Sequence, residues 1–485
     1  MKSSLKSVFK ILAFILLLVS ILLYFNNVFK LKYSDGILQM TSFYEQEENT
    51  VDVLILGSSH AFVNFNNGTL WDEYGMASYN LGGSGQPMWN SYFYLKEALK
   101  TQHPELIVLE GFGLKIDFEY MDEGGIIKNT YGMKWSSDKI QAIKVSSEPE
   151  QNLQLLLDYT QYHDRYSTLG ESDFVRNKTM TATEGVKYFQ GWKGQYLFRY
   201  ANPVEIADVS NVTEKIALHP KTEEYYRKIL ELANSEGIPV AVIIAPYSLT
   251  EYEQSKYLRA EEISKEYNAV KFINGNMILD RFGLDLQADY YDRGHMNVLG
   301  SEKFSKYIGA YLKEHFEISD RRNNPQYLSW EENAAYTRQY SANMKLSLSK
   351  DINEILNYLS DPNYSIFIET SGTCTTTDKD LCFVFEALGL PTNGERGIWL
   401  KTVDGIVWYS GAGEGEHYIR TRAHDFCMKR TLDESRRFYT NLIMIDDTIY
   451  GIVENGVNIV VYDNVTETVA DTFGINASGN CDIVR

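Results

Sequence analysis

Basic residues are in short supply in this 485-residue chain: 46 Lys and Arg stand against 65 Asp and Glu, for a formal net charge of −19. Nucleic-acid binding rests on cations that neutralise phosphates, and the only basic cluster is Lys2, Lys6 and Lys10 at the start, so the balance argues against a nucleic-acid partner. Cysteine is scarce as well. The four, Cys374, Cys382, Cys427 and Cys481, all fall in the last quarter and none stands in a CxxC pair. That spacing argues against a structural zinc site, and no metal or other cofactor is expected. Hydrophobic residues at 44 % and charged residues at 23 % are ordinary globular usage, which argues against both wholesale disorder and a polytopic membrane protein.

What is present starts with one long apolar run. Residues 11–25 carry no charge, and with Val8, Phe9 and the residues up to Val28 the run reaches the roughly 20 residues that cross a bilayer. A cleavable signal peptide needs small residues at its cleavage site. Here the run ends LLYFNNVF, so residues 1–29 read as an uncleaved anchor. Lys2, Lys6 and Lys10 before it, against Lys30 and Lys32 after it, favour a cytoplasmic N-terminus and extracellular main domains on the cell membrane. In an exported domain an even set of cysteines reads as one or two disulfides, whose pairing stays open.

Beyond a polar tether the chain alternates short apolar runs with amphipathic helical stretches. The runs at 51–57, 77–83, 103–113, 238–246 and 269–275 read as buried strands. Stretches 91–100, 220–237, 251–267 and 298–316 read as helices, the second stopped by Gly237. This alternation predicts an α/β domain over 50–318, with a five-stranded parallel sheet between helices in an αβα sandwich. An aromatic- and charge-rich insertion interrupts it at about 114–217, helical in part, and could line a glycan groove. Residues 319–345 read as a linker or bridging helix. From 346 to 485, β-branched runs separated by Asp-Gly and Asn-Gly turns predict a mostly-β domain.

Chemistry-bearing residues collect at the ends of the predicted strands. The first strand runs into Gly57-Ser58-Ser59-His60, which puts Ser59 where ligands bind in such sheets. The second runs into Asn80-Leu81-Gly82-Gly83-Ser84-Gly85, whose glycines let backbone N–H groups face an oxyanion. Asp292-Arg293-Gly294-His295 precedes the last helix. An Asp three residues before a His can orient its imidazole, which can then take a proton from a serine hydroxyl. The candidate catalytic residues are Ser59, His295 and Asp292.

These blocks, in this order, resemble the SGNH (GDSL-like) hydrolase superfamily. Gly57-Ser58-Ser59 stands where that family has Gly-Asp-Ser, and Asp292 through His295, followed by Asn297 and Gly300, matches its D-x-x-H-x-N-x-x-G block. Asn80 through Gly85 resembles its second block, and the resemblance implies the N–H groups of Ser59 and Gly85 as oxyanion donors. The third strand should lead into Gly-x-Asn-Asp, whose Asn helps bind the oxyanion; here it leads into Gly111-Phe112-Gly113-Leu114, with Gly113 in the Asn place. With its single anchor the chain looks like the membrane-anchored branch, which includes D-alanyl-lipoteichoic-acid biosynthesis and polysaccharide O-acetylation proteins. The last domain, through Gly456–Asn464 and Thr468–Phe473, is similar to the interleukin-like EMT-inducer domain. The resemblance implies a serine acyl esterase or O-acyltransferase acting on cell-surface polysaccharide or teichoic acid, with a membrane-bound O-acyltransferase as a partner. The competing reading is a non-catalytic adaptor that binds glycan or such an acyltransferase. Hydrolysis and transfer stay equally open.

Overall fold

A computed structural model describes the chain except residues 1, 30–33, 157–161, 175–187, 194–201, 380, 412, 422, 434–437 and 478–481. Lys30, Lys32, Cys481 and most of the aromatic run at 187–200 therefore lie outside the described residues. Two compact units are present, Met1–Ala335 and Tyr336–Arg485.

In the first unit, α1 (Lys2–Phe29) is one continuous helix of 28 residues. At about 1.5 Å per residue it is longer than a hydrocarbon core is thick. Within it, Lys6–Phe29 has a mean hydropathy of 2.7, so by length and composition the helix can cross a membrane. Its last turn is held by protein: Val28 and Phe29 are buried, and Arg165 Nη1 donates to the Phe29 carbonyl at 2.7 Å.

The sheet of this unit has five strands, β1 (Val53–Gly57), β2 (Ser78–Gly82), β3 (Leu106–Glu110), β4 (Val240–Ile244) and β5 (Val270–Asn274). They lie in the order β2-β1-β3-β4-β5 and every pairing is parallel. The first four are buried at every position, which is why they read as continuous apolar runs and not as alternations. Successive residues serve opposite faces. Leu54, Leu56, Ile107, Leu109, Val240 and Val242 pack with α4 (Met88–Ala98), α5 (Pro220–Ser235) and α6 (Glu251–Ser264), named here with α2 (Ser59–Asn64) and α3 (Asn67–Tyr74) before them. Val53, Ile55, Leu106, Val108 and Ile243 face the other way, against α2, α3 and α7 (Val298–His315). From β1 the chain moves to β2 on one side and then to β3 on the other. The strand order thus reverses at β1, and its carboxyl end opens a crevice.

Residues 114–217 include helices Glu123–Thr130 and Ser137–Ser146. Trp192, from the aromatic run, is buried at 1 % exposure and donates its indole N–H to the Val63 carbonyl at 3.0 Å. This residue is core and not the wall of a groove. The stretch read as a linker or bridging helix, 319–345, is taken up from Leu328 onward by α8 (Leu328–Leu348), and the boundary between units falls within that helix.

The second unit is built of two antiparallel sheets. We number its strands β6 (Tyr364–Ser371), β7 (Ile398–Thr402), β8 (Gly405–Ser410), β9 (Gly415–Arg420), β10 (Asp425–Asp433), β11 (Phe438–Ile445), β12 (Thr448–Tyr450), β13 (Gly456–Asp463), β14 (Thr468–Asn476) and β15 (Ile483–Val484). One sheet runs β8-β7-β6-β13-β14-β15 and the other β9-β10-β11-β12. Phe367, Ile398, Leu400 and Val460 of the first meet Phe426, Met428, Ile443 and Ile445 of the second in a shared core. The Asp404-Gly405 turn joins the antiparallel pair β7 and β8. Asn455-Gly456 is no hairpin turn: β13 pairs with β6 and β14, and the Asn455 side chain accepts from the Thr373 N–H at 2.7 Å.

The disulfide expectation is not met by the described cysteines, since Cys374, Cys382 and Cys427 are all free. Their surroundings differ. Cys374 packs in the core beside β6, where burial pushes its thiol up to about 12, Cys382 opens the short helix Cys382–Ala387, and Cys427 lies in β10 of the other sheet.

Candidate active site

The crevice at the end of β1 is shaped by a glycine. Gly57 has φ 148°, and a Cβ there would stand 2.6 Å from the Glu110 Cβ, so only glycine lets β1 and β3 close at this level. Ser58 follows in extended conformation and caps α2, its Oγ accepting from the His60 N–H at 3.2 Å. The cap is held from below by Glu110. One carboxylate oxygen accepts from the Ser58 hydroxyl at 2.8 Å and the Ser58 N–H at 3.2 Å, and the other from the Phe112 N–H at 2.7 Å. Complete burial raises the Glu110 carboxyl to about 7, against the opposing effect of these bonds and of Lys115.

Ser59 is the first residue of α2 and is half-buried. His295 Nε2 lies 2.7 Å from its Oγ, and His295 Nδ1 lies 2.8 Å from Asp292 Oδ2. With the imidazole N–H on Nδ1 donating to Asp292, Nε2 accepts the serine proton. Asp292 Oδ1 also accepts from the Gly294 and His295 N–H groups, each at 2.8 Å. Burial works against the charged form of Asp292, but the imidazole and the two N–H donors hold it down to about 2. The three residues singled out from the sequence are thus in hydrogen-bond series, although Ser59 and His295 are 236 positions apart.

Other residues keep the triad loop in register. Asn64, in α2, accepts from the Met296 N–H at 2.9 Å and donates to the Gly294 carbonyl at 3.4 Å. Asn297 caps α7, accepting from Leu299 and Gly300 N–H groups at 3.0 and 3.1 Å. The Ser248 N–H, after β4, donates to the Arg293 carbonyl at 3.2 Å. Asn64 and Ser248 have no neighbouring motif that would single them out in the sequence.

His60 forms one wall. It is 3 % exposed, and its ring centre lies 4.3 Å from Phe112, 5.1 Å from Tyr247 and 5.0 Å from His295. Burial, and after it the electrostatic effect of the neighbouring His295 and Lys115 side chains, pushes its pKa well down, so this second imidazole is neutral. A Cβ at Gly294 would stand 3.0 Å from the His60 Nε2, which accounts for a glycine inside the Asp292–His295 block. Lys115 lies over Phe112 at 3.9 Å and Tyr247 at 4.8 Å, and pairs with Glu253.

Of the oxyanion donors expected from the resemblance, Ser59 opens α2 and Gly85 lies in the loop after β2. Among the described residues, neither the Ser59 nor the Gly85 N–H has a protein acceptor. Gly85 is exposed at φ 59° in the loop after β2, where the Gly83 N–H donates to the Gly57 carbonyl at 3.1 Å. Asn129 braces that loop, donating to the Ser84 carbonyl at 3.0 Å. Asn80 is structural: it is buried, and its amide donates to the Phe65 carbonyl at 2.8 Å. At Gly113 a Cβ would meet Met88 Cε at 2.7 Å and the Gln86 carbonyl at 2.9 Å, so this position has no room for an asparagine side chain.

No protein-family model matches this chain, and no curated protein sequence matches it.

Proposed function

We propose that this protein is an extracytoplasmic serine acyl esterase or O-acyltransferase of the SGNH type, anchored by α1 and acting on cell-surface polysaccharide or teichoic acid. The observation that carries the reading is the unbroken series Ser59 Oγ, His295 Nε2, His295 Nδ1, Asp292 Oδ2, with links of 2.7 and 2.8 Å at a strand-order reversal. In this mechanism His295 takes the Ser59 proton as Oγ attacks an acyl carbonyl, and Asp292 holds the imidazolium that forms. The N–H groups of Ser59 and Gly85 receive the oxyanion. His295 then returns its proton to the departing alcohol oxygen, leaving a Ser59 ester. Water or a sugar hydroxyl, deprotonated by the same imidazole, completes hydrolysis or transfer.

The second reading, a non-catalytic adaptor for a glycan or a membrane-bound O-acyltransferase, draws on Gly113, where packing closes the place of a third oxyanion donor. Loss of one such donor typically costs about 10²–10³ in rate. A fluorophosphonate probe on the purified full-length chain separates the two. Labelling at Ser59 that is lost in His295→Ala supports the enzyme, and absence of labelling in the folded wild type leaves the adaptor.

A further inference from the structure

The second unit contains two arginines, Arg396 and Arg430, with no carboxylate paired to either among the described residues. Arg430, on β10, is 5 % exposed. Its Nη1 donates to the Asn441 amide oxygen at 2.8 Å, its guanidinium lies 4.6 Å from the Tyr439 ring centre, and its Nε is buried with no acceptor. Arg396, just before β7, also has a buried Nε with no acceptor. Asn441 ties the two places together, because its amide N–H group donates to the carbonyl of Gly397, next to Arg396, at 3.2 Å and to that of Thr370 at 2.8 Å.

Buried donors are almost always paired, and a buried cation without a counter-charge is unfavourable. Arg430 is such a cation, and the Nε of Arg396 is a second buried donor left unpaired. Burial and then the repulsion from Arg396 lower the pKa of Arg430. Acids nearby in the sequence or the sheet are otherwise engaged. Glu395 accepts from Asn393 at 2.6 Å and from the Tyr409 hydroxyl, and Glu369 accepts from Asn458 at 2.8 Å. The guanidinium fork suits a planar or tetrahedral oxyanion, which can take two donors at once.

We propose that Arg396 and Arg430 form a binding site for an oxyanion group, a carboxylate or a phosphate, separate from the Ser59 crevice. The site binds such a group as a point of attachment and performs no chemistry on it. It stands whether or not the triad is active.

Titration calorimetry on the full-length chain in detergent, at fixed ionic strength, tests this with two probes, inorganic phosphate and glucuronate. Saturable one-site binding of either supports the site and names the group. Arg396→Gln should weaken that binding tenfold or more. Arg430→Met should abolish it and, by removing an unanswered buried cation, should leave the thermal midpoint in probe-free buffer unchanged or higher. Saturation by neither probe, or equal binding by Arg396→Gln, overturns the proposal. A large drop in the midpoint of probe-free Arg430→Met would also count against it, because the cation would then be satisfied within the protein.

Discussion

Serine is a weak nucleophile until a base takes its proton, so the triad can be tested one side chain at a time. Ser59→Ala should abolish acyl-ester turnover with the fold intact. His295→Ala should cost nearly as much, because residues that act as a unit are not additive, and Asp292→Ala should cost less. Full turnover in Ser59→Ala, measured on a chromogenic acyl ester, would remove the enzyme reading. Glu110 gives a second test, independent of activity. Its folded pKa of about 7 lies above the ordinary 4.5, so between those values the folded state binds more protons than the unfolded one. Stability from this group is fully present below 4.5 and is lost as pH rises through 7, with a slope of up to about 1.4 kcal/mol per pH unit. Glu110→Gln should flatten that part of the urea-midpoint profile relative to wild type. Equal profiles would mean that Glu110 is not a buried, proton-retaining group. Ser59, Asp292 and His295 were legible because they stand in short blocks at strand ends. Glu110 was not, since a lone acid closing an apolar run looks like the start of a turn. Nor was His60, whose burial depends on Phe112 and Tyr247 from two other strand ends.

At the scale of elements, the crevice is made by the segments that leave the carboxyl ends of β1, β2 and β3, and by the loop before α7. The parallel strands were readable because burial on both faces leaves unbroken apolar runs. The partners of those strands were readable only as a class, since register and order come from packing that no single run encodes. The Asn455-Gly456 signal misled because a tight turn at a strand start looks the same whether the next strand is a neighbour or lies in the other sheet. The three described cysteines are free, since an even number of thiols in one domain does not by itself bring any two together. One local departure has a physical reason that can be checked. Gly113 sits against Met88 and the Gln86 carbonyl, so Gly113→Asn should not supply the third oxyanion donor. It should overpack the contact between the β3 end and α4 and cost about 1–3 kcal/mol of stability by chemical denaturation. Higher turnover with unchanged stability would show that the position is open. Asn129→Ala should release the loop that bears Gly85, lowering kcat more than it raises KM, since an oxyanion donor acts chiefly in the transition state.

At the scale of the whole molecule, α1 has the length and the apolarity to cross a membrane, and the charge of −19 keeps the chain well away from neutrality. The side on which the two units stand is set, in the proposed reading, by the basic residues Lys2, Lys6 and Lys10 ahead of the span. Cytoplasmic flanks collect such charge, and in that reading the three lysines before the span would hold that end inside. Residues after the span would then face the envelope, where a surface glycan is within reach of a tethered Ser59. The proposed substrate therefore depends on topology as much as on the triad. Protease added to intact cells that express the chain should remove both units from the membrane fraction and leave a fragment of about the size of α1. Replacing Lys2, Lys6 and Lys10 with Gln should reduce that orientation, giving a protected population. If both units of the wild type stay fully protected until the membrane is permeabilised, they lie on the cytoplasmic side, and a cell-surface polymer is no longer available as the substrate.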